Sequence, residues 1–216
     1  MDHTRQLDII DPKNITDTIT VIGLGGIGSF VIPILAKMGC PSLAGFEFDE
    51  VEDHNIPVQN FRIEDVGKSK GKALQEIVAM FSDTSFTFNH EKFEGQVPLE
   101  GIVISAVDKM SERRVIWESI ELNPAVRLYI DARMGGQVAH LFSINPCSPD
   151  DIGMYKEKLF SDEEAEELAC TARTVIYTVN FIAGLIANQI KKFVNGEELH
   201  RQIIWDAQTL SLIPIL

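Results

Sequence analysis

Apolar positions along this chain fall into short β-branched runs that alternate with stretches of helical spacing. After a polar segment over 1–17, with a turn signal at Asp11-Pro12, Ile19-Thr20-Val21-Ile22 runs into glycines, as a strand covered on both faces does. Ile27, Phe30, Val31, Ile34, Leu35 and Met38 then recur at helical spacing, with Gly39 as a stop. Pro33 within that helix removes one hydrogen bond and predicts a kink. The same reading predicts strands over 43–48, 85–88, 101–107, 127–131 and 137–144, and helices over 70–81, 111–122 and 171–194. Residues 147–169 are polar and acidic and predict a loop with a solvated helical piece. Residues 202–215 predict a hairpin turning around Asp206-Ala207-Gln208. Strands alternating with helices specify an α/β fold: a doubly wound, Rossmann-like, mostly parallel sheet with a C-terminal antiparallel extension.

Composition narrows the function classes. A net charge of −13 excludes sequence-independent nucleic-acid binding, which depends on Lys and Arg neutralising phosphates. The longest uncharged run, between Arg173 and Lys191, is interrupted by Thr174, Thr178, Asn180, Asn188 and Gln189, so it reads as a core helix and not a membrane span. With no apolar N-terminal segment, the expectation is a soluble, cytoplasmic protein. Cys40, Cys147 and Cys170 form no C-x-x-C pair, which gives structural zinc no support; Cys40 and Cys147 read as structural.

Gly23-Leu24-Gly25-Gly26-Ile27-Gly28 follows a predicted strand and opens a predicted helix. Glycines there let the backbone turn sharply and approach a phosphate, whose charge a helix N-terminus favours. Glu47 at the end of the next strand is placed to accept hydrogen bonds from ribose hydroxyls. A nucleotide site follows, but a nicotinamide-dependent dehydrogenase would use the same loop and the same acid.

Residues further along are more specific. Ser29 directly follows the last glycine, and Glu47-Phe48-Asp49 leads into Asn55-Ile56-Pro57-Val58-Gln59. Asp65-Val66-Gly67-Lys68-Ser69-Lys70 and Ser105-Ala106-Val107-Asp108 come next, and Cys170 precedes Gly184 late in the chain. As an ordered set, from about Arg5 to the C-terminus, this resembles the ThiF/MoeB/HesA family of adenylating enzymes that activate ubiquitin-like proteins. The resemblance implies a single domain over 1–216, with a nucleotide-binding part over about 18–145 and a crossover loop, helix and hairpin over about 146–216.

By the same resemblance, Gly23, Gly25, Gly26, Gly28, Glu47, Asp49, Asn55, Gln59 and Lys70 would bind ATP. Asp108 would hold Mg²⁺ on the phosphates; taken alone, an aspartate there reads as the N-cap of the following helix, and the two roles are compatible. Arg113 would lie near the phosphates, Arg5 would reach the site of a partner across a homodimer, and Cys170 would be either a thioester-forming nucleophile or a packed residue. The implied partner is a small ubiquitin-like or sulfur-carrier protein ending in Gly-Gly. Two departures stand out: the family's loop arginine is Val58 here, and Lys109 follows Asp108. Lys109, Lys68 or Arg62 would then restore the missing charge. His54, in the same loop, reads as facing water. The competing functions are a nicotinamide-dependent oxidoreductase and a catalytically inactive nucleotide-binding scaffold.

Overall fold

A computed structural model describes residues 1–161 and 174–216. Eight strands make one sheet: β1 (Ile19–Ile22), β2 (Ser42–Phe46), β3 (Ser85–Asn89), β4 (Gly101–Ser105), β5 (Val126–Gly135), β6 (Val138–Ile144), β7 (Gln202–Asp206) and β8 (Ser211–Ile215). Their order is β3-β2-β1-β4-β5-β6-β7-β8. The first five run parallel, and β6, β7 and β8 are added antiparallel, which is the expected doubly wound sheet with its antiparallel extension. The chain leaves β1 for β2 on one side and returns to β4 on the other, so a crevice opens at the carboxyl ends of β1 and β4.

Five α-helices flank the sheet among the described residues: α1 (Gly26–Met38), α2 (Lys70–Ala79), α3 (Met110–Ile120), α4 (Pro149–Lys156) and α5 (Ile176–Val194). The first three, and the seven strands from β1 to β7, fall within a few residues of the sequence expectation. α1, α2 and α5 cover one face, over a core of Ile19, Val21, Leu35, Leu74, Ile104, Ile130 and Ile186. α3 and α4 cover the other, where Trp117, Tyr129, Phe142 and Tyr155 pack together. Cover on both faces is why every residue of β1 and β4 is buried and neither strand alternates.

Three departures carry information. α1 runs unbroken through Pro33; the Ser29 carbonyl, which Pro33 cannot satisfy, instead meets Asn60 Nδ2 at 3.4 Å. The polar stretch after Pro146 contains a proper helix, α4, which buries Asp151 and Tyr155 and so is not merely solvated. α5 begins at Ile176, after an extended Val175, later than the expected 171. Cys40 is buried as expected, with burial pushing its thiol up to about 12, whereas Cys147 is exposed. Most of the acidic run 161–167, and Cys170, lie outside the described residues. No helix among the described residues is long and apolar enough to cross a membrane.

Candidate functional site

The glycine loop turns directly out of β1. Gly23 has φ +90°, and a side chain built on it would lie 2.7 Å from the Ala106 carbonyl oxygen. A side chain on Gly28 would run into the carbonyl of Gly23 itself, so Gly28 lets α1 close down on the strand end. Gly25 and Gly26 are different. The nearest neighbours of a side chain there are Gln59 Nε2 at 3.9 Å and Val179 Cγ1 at 3.6 Å, ordinary contacts, so steric need inside the protein does not account for these two.

Glu47 sits just past β2 and is 7% exposed. Its Oε2 accepts from the Leu24 N–H at 2.9 Å, and its Oε1 accepts from the N–H groups of Phe48 and Asp49 at 2.9 and 3.0 Å. The carboxylate therefore stitches the glycine loop to the next strand end and keeps spare lone pairs for hydroxyl donors. Asp49 continues the chain of contacts, because its carboxylate accepts from Lys70 Nζ at 2.9 Å while its carbonyl accepts from the Lys70 N–H. Lys70 is 6% exposed. A lysine at a helix start is ordinarily solvated; this one is buried and aimed at the strand ends.

The segment after β2 folds back as two 3₁₀ turns, Asp53–Asn55 and Ile63–Asp65. Asn55 is buried, and its Oδ1 accepts from the Glu52 N–H at 2.9 Å, which leaves its NH₂ group as a spare donor. Gln59 lies over Gly25, and its Oε1 is buried without a partner. His54 faces solvent beside Glu52. Two of the three cations expected to replace the missing loop arginine are engaged elsewhere. Arg62 forks onto Asp65 and Lys68 bonds Asp65 and Glu76. Burial raises the Asp65 pKa, but the Arg62 and Lys68 hydrogen bonds outweigh it and bring the carboxyl down to about 2. Lys109 remains exposed beside Asp108.

Asp108 is exposed in the turn between β4 and α3. It does not cap α3: the N-cap is Lys109, whose side chain makes no cap bond. Arg113 is not a surface residue. It is 4% exposed and bonds the Asp131 carboxylate, the Val107 carbonyl and, at 3.4 Å, Ser105 Oγ. Sequence reading passed over Asp131, Arg133 and Tyr155, which join this cluster. Arg133 Nε and Tyr155 Oη bond the second Asp131 oxygen at 2.7 and 2.8 Å. Burial and then the Asp131 charge hold the Tyr155 phenol well above its usual range, so it remains a donor. The only legible hint was the charge pattern Asp131-Ala132-Arg133 at a strand end.

Arg5 stands apart. It lies on the N-terminal 3₁₀ turn (Thr4–Gln6), which is fastened to the far end of α1 by Gln6 Nε2 on the Met38 carbonyl. There it lines a hollow of about 330 Å³ with Met1, His3, Lys37 and Phe81. α1 has 13 residues, so Arg5 is about 20 Å along the helix from the glycine loop of its own chain.

Free N–H groups at the start of α1, the Lys70 ammonium and the Asn55 and Gln59 amides offer donors and a fixed cation to a polyphosphate. The unpartnered Gln59 oxygen and the two sterically unneeded glycines fit a ligand lying against the loop. Asp108 offers hard carboxylate oxygens to a divalent cation.

Residues 13–211 match the ThiF family. Sulfur carrier protein ThiS adenylyltransferase of Escherichia coli (strain K12) is 26% identical over 212 residues, covering 92% of this chain and 82% of that protein. Ubiquitin-like modifier-activating enzyme 5 of Dictyostelium discoideum is 34% identical over 96 residues, covering 40% of this chain and only 25% of that protein. Among solved structures, Escherichia coli MccB with ATP superposes with a TM-score of 0.75 at 20% identity, over 94% of this chain and 65% of that one.

Proposed function

This chain belongs to the ThiF family, and on that premise we propose that it is an ATP-dependent adenylyltransferase acting on the C-terminal carboxylate of a ubiquitin-like or sulfur-carrier protein. The match to the ThiF family across 13–211 carries the reading. A carboxylate oxygen attacks the α-phosphorus, the bond to the bridging oxygen of the β-phosphate breaks, and pyrophosphate leaves with that electron pair. The nucleophile is already deprotonated. The protein therefore has to align the in-line attack and hold charge on the phosphates, and it needs no general base.

Each residue has a part in that reading. The Gly25–Gly26 backbone and the start of α1 cradle phosphate, Glu47 meets the ribose, and Lys70 with the Asn55 and Gln59 amides surrounds the triphosphate. Asp49 keeps the Lys70 ammonium aimed. Asp108 holds Mg²⁺, which when bound neutralises charge on the phosphate oxygens. Lys109 takes over from the loop arginine that Val58 replaces. Residues 18–145 form the nucleotide-binding part, 146–216 carry the crossover to the acceptor side, and the working unit is a homodimer whose carrier ends in Gly-Gly. Cys170 belongs to a second half-reaction, and that role is separable from the first.

ATP–pyrophosphate exchange with Mg²⁺ and Gly-Gly-ending carrier proteins tests this. Carrier-dependent exchange is expected, falling about 100-fold or more in Asp108→Ala. ATP binding without exchange would favour the inactive nucleotide-binding scaffold, and NAD binding in place of ATP would favour the oxidoreductase.

A further inference from the structure

Asp131 has no exposed surface and lies at the carboxyl end of β5, in register with Ser105 at the end of β4. Two guanidinium groups and a phenol converge on its two oxygens: Arg113 on Oδ1, and Arg133 and Tyr155 on Oδ2. The Arg113 fork is shared between Asp131 and the carbonyl of Val107, the residue immediately before Asp108. An unbroken set of hydrogen bonds thus runs from a buried carboxylate to the turn that presents Asp108.

Stability alone does not account for this cluster. Desolvating a carboxylate and two guanidinium groups costs several kcal/mol per ion, and apolar packing in place of a buried ion cluster is often neutral or stabilising. β4 and β5 are already joined by a parallel ladder that runs from Ile102 and Leu128 through Ser105 and Asp131. What the cluster adds is a fixed geometry: within α3, whose N-cap Lys109 makes no side-chain cap bond, Arg113 reaches back to the Val107 carbonyl. A planar fork that bonds two acceptors at once fixes both distance and direction.

We infer that Asp131 is a positioning residue: acting through Arg113, it sets where the Asp108 carboxylate stands. The catalytic meaning of that placement rests on the adenylation reading above; the geometric part does not. The same carboxylate orients Arg133, which bonds the Lys158 carbonyl at 2.7 Å, while Arg114 bonds the carbonyls of Leu159 and Phe160. The chain leaving α4 is therefore tied to the same cluster that holds the Asp108 turn.

The test uses the full chain carrying Asp131→Asn, with Arg127→Ala, an exposed pair with Asp17 elsewhere, as the control. Amide hydrogen exchange is read by mass spectrometry without nucleotide. Residues 106–112 are expected to exchange about tenfold faster or more, with β1 and β2 unchanged. The Mg²⁺ concentration for half-maximal pyrophosphate exchange should rise about 10–100-fold, as when an outer partner of a metal ligand is removed. Arg113→Lys, which keeps a cation for Asp131 but cannot fork onto Val107 as well, should do the same. Unchanged exchange over 106–112 overturns the inference. So does uniform loosening of the whole sheet, or failure of both variants to fold, since each makes the cluster structural. If wild type shows no pyrophosphate exchange, the adenylation reading falls, while the hydrogen-exchange result still decides the placement of the turn.

Discussion

A methyl group added at Gly28 and one added at Gly26 meet different surroundings, and the difference separates a glycine kept for packing from one kept for a ligand. At Gly28 the methyl collides with the Gly23 carbonyl, so Gly28→Ala should cost about 1–3 kcal/mol of stability. Nucleotide binding should be lost with it, because the loop itself is displaced. At Gly26 the nearest atom is Val179 Cγ1 at 3.6 Å. Gly26→Ala at the start of α1 should therefore leave the melting temperature unchanged or slightly raised. If phosphate rests against that backbone, ATP affinity should nonetheless fall about tenfold or more. Thermal melts paired with ATP titrations of both variants check this. Equal affinity in Gly26→Ala and wild type would remove Gly26 from the site. The sequence showed a run of glycines, whereas the division of labour among them depends on which carbonyl or side chain the fold brings alongside.

At the scale of elements, the second 3₁₀ turn after β2, Ile63–Asp65, closes on a buried carboxylate. Asp65 is fully buried and accepts from the Arg62 N–H, the Arg62 guanidinium and Lys68 Nζ. Asp65→Asn should lower unfolding free energy by about 2–3 kcal/mol at pH 7. Its carboxyl stands at about 2 in the folded protein against a usual 3.8, so its stabilisation is full above pH 3.8 and lost as pH falls through about 2. Urea unfolding at pH 7 and pH 3 should then show the deficit of Asp65→Asn shrinking by roughly half at the lower pH. A deficit independent of pH would assign it to packing.

This segment marks the boundary of what the chain made legible. β1 and β4 were legible because burial on both faces leaves an unbroken apolar run, and α1 and α3 because burial of one helix face leaves apolar residues at helical spacing. The burial of Asp65, Lys70, Arg113 and Asp131 left none, since a charged side chain reads as solvated until the fold supplies its partner: Arg62 and Lys68 for Asp65, Asp49 for Lys70, and Arg113 and Asp131 for each other. Arg113 meets Asp131 across 18 residues, and Tyr155 meets it across 24. A helix arginine after a strand end looks like a surface residue until the neighbouring strand supplies its carboxylate. Asp108 misled in a related way. A carboxylate before a helix suggests a cap, yet the helix starts one residue later than a cap at Asp108 requires.

For the whole molecule, the position of Arg5 is the sharpest constraint. It is tied to the C-terminal end of α1, while the candidate site lies at the N-terminal end of the same helix. No side chain spans about 20 Å, so Arg5 acts on nucleotide in trans or not at all. In a two-fold dimer each protomer would lend its Arg5 to the other, since a two-fold interface is self-complementary. Complementation distinguishes the two cases. Arg5→Ala and Asp108→Ala should each be inactive in pyrophosphate exchange. Mixed after reversible dissociation, they form heterodimers in which the Arg5→Ala protomer keeps its own Asp108 and receives an intact arginine from its partner. One of the two sites in each heterodimer is then complete, and random assortment restores about a quarter of all sites. If Arg5 served its own chain, every site in the mixture would lack one group and nothing would return. Full activity in Arg5→Ala alone would remove this residue from the chemistry and leave Lys70 and Lys109 as the cations facing the phosphates.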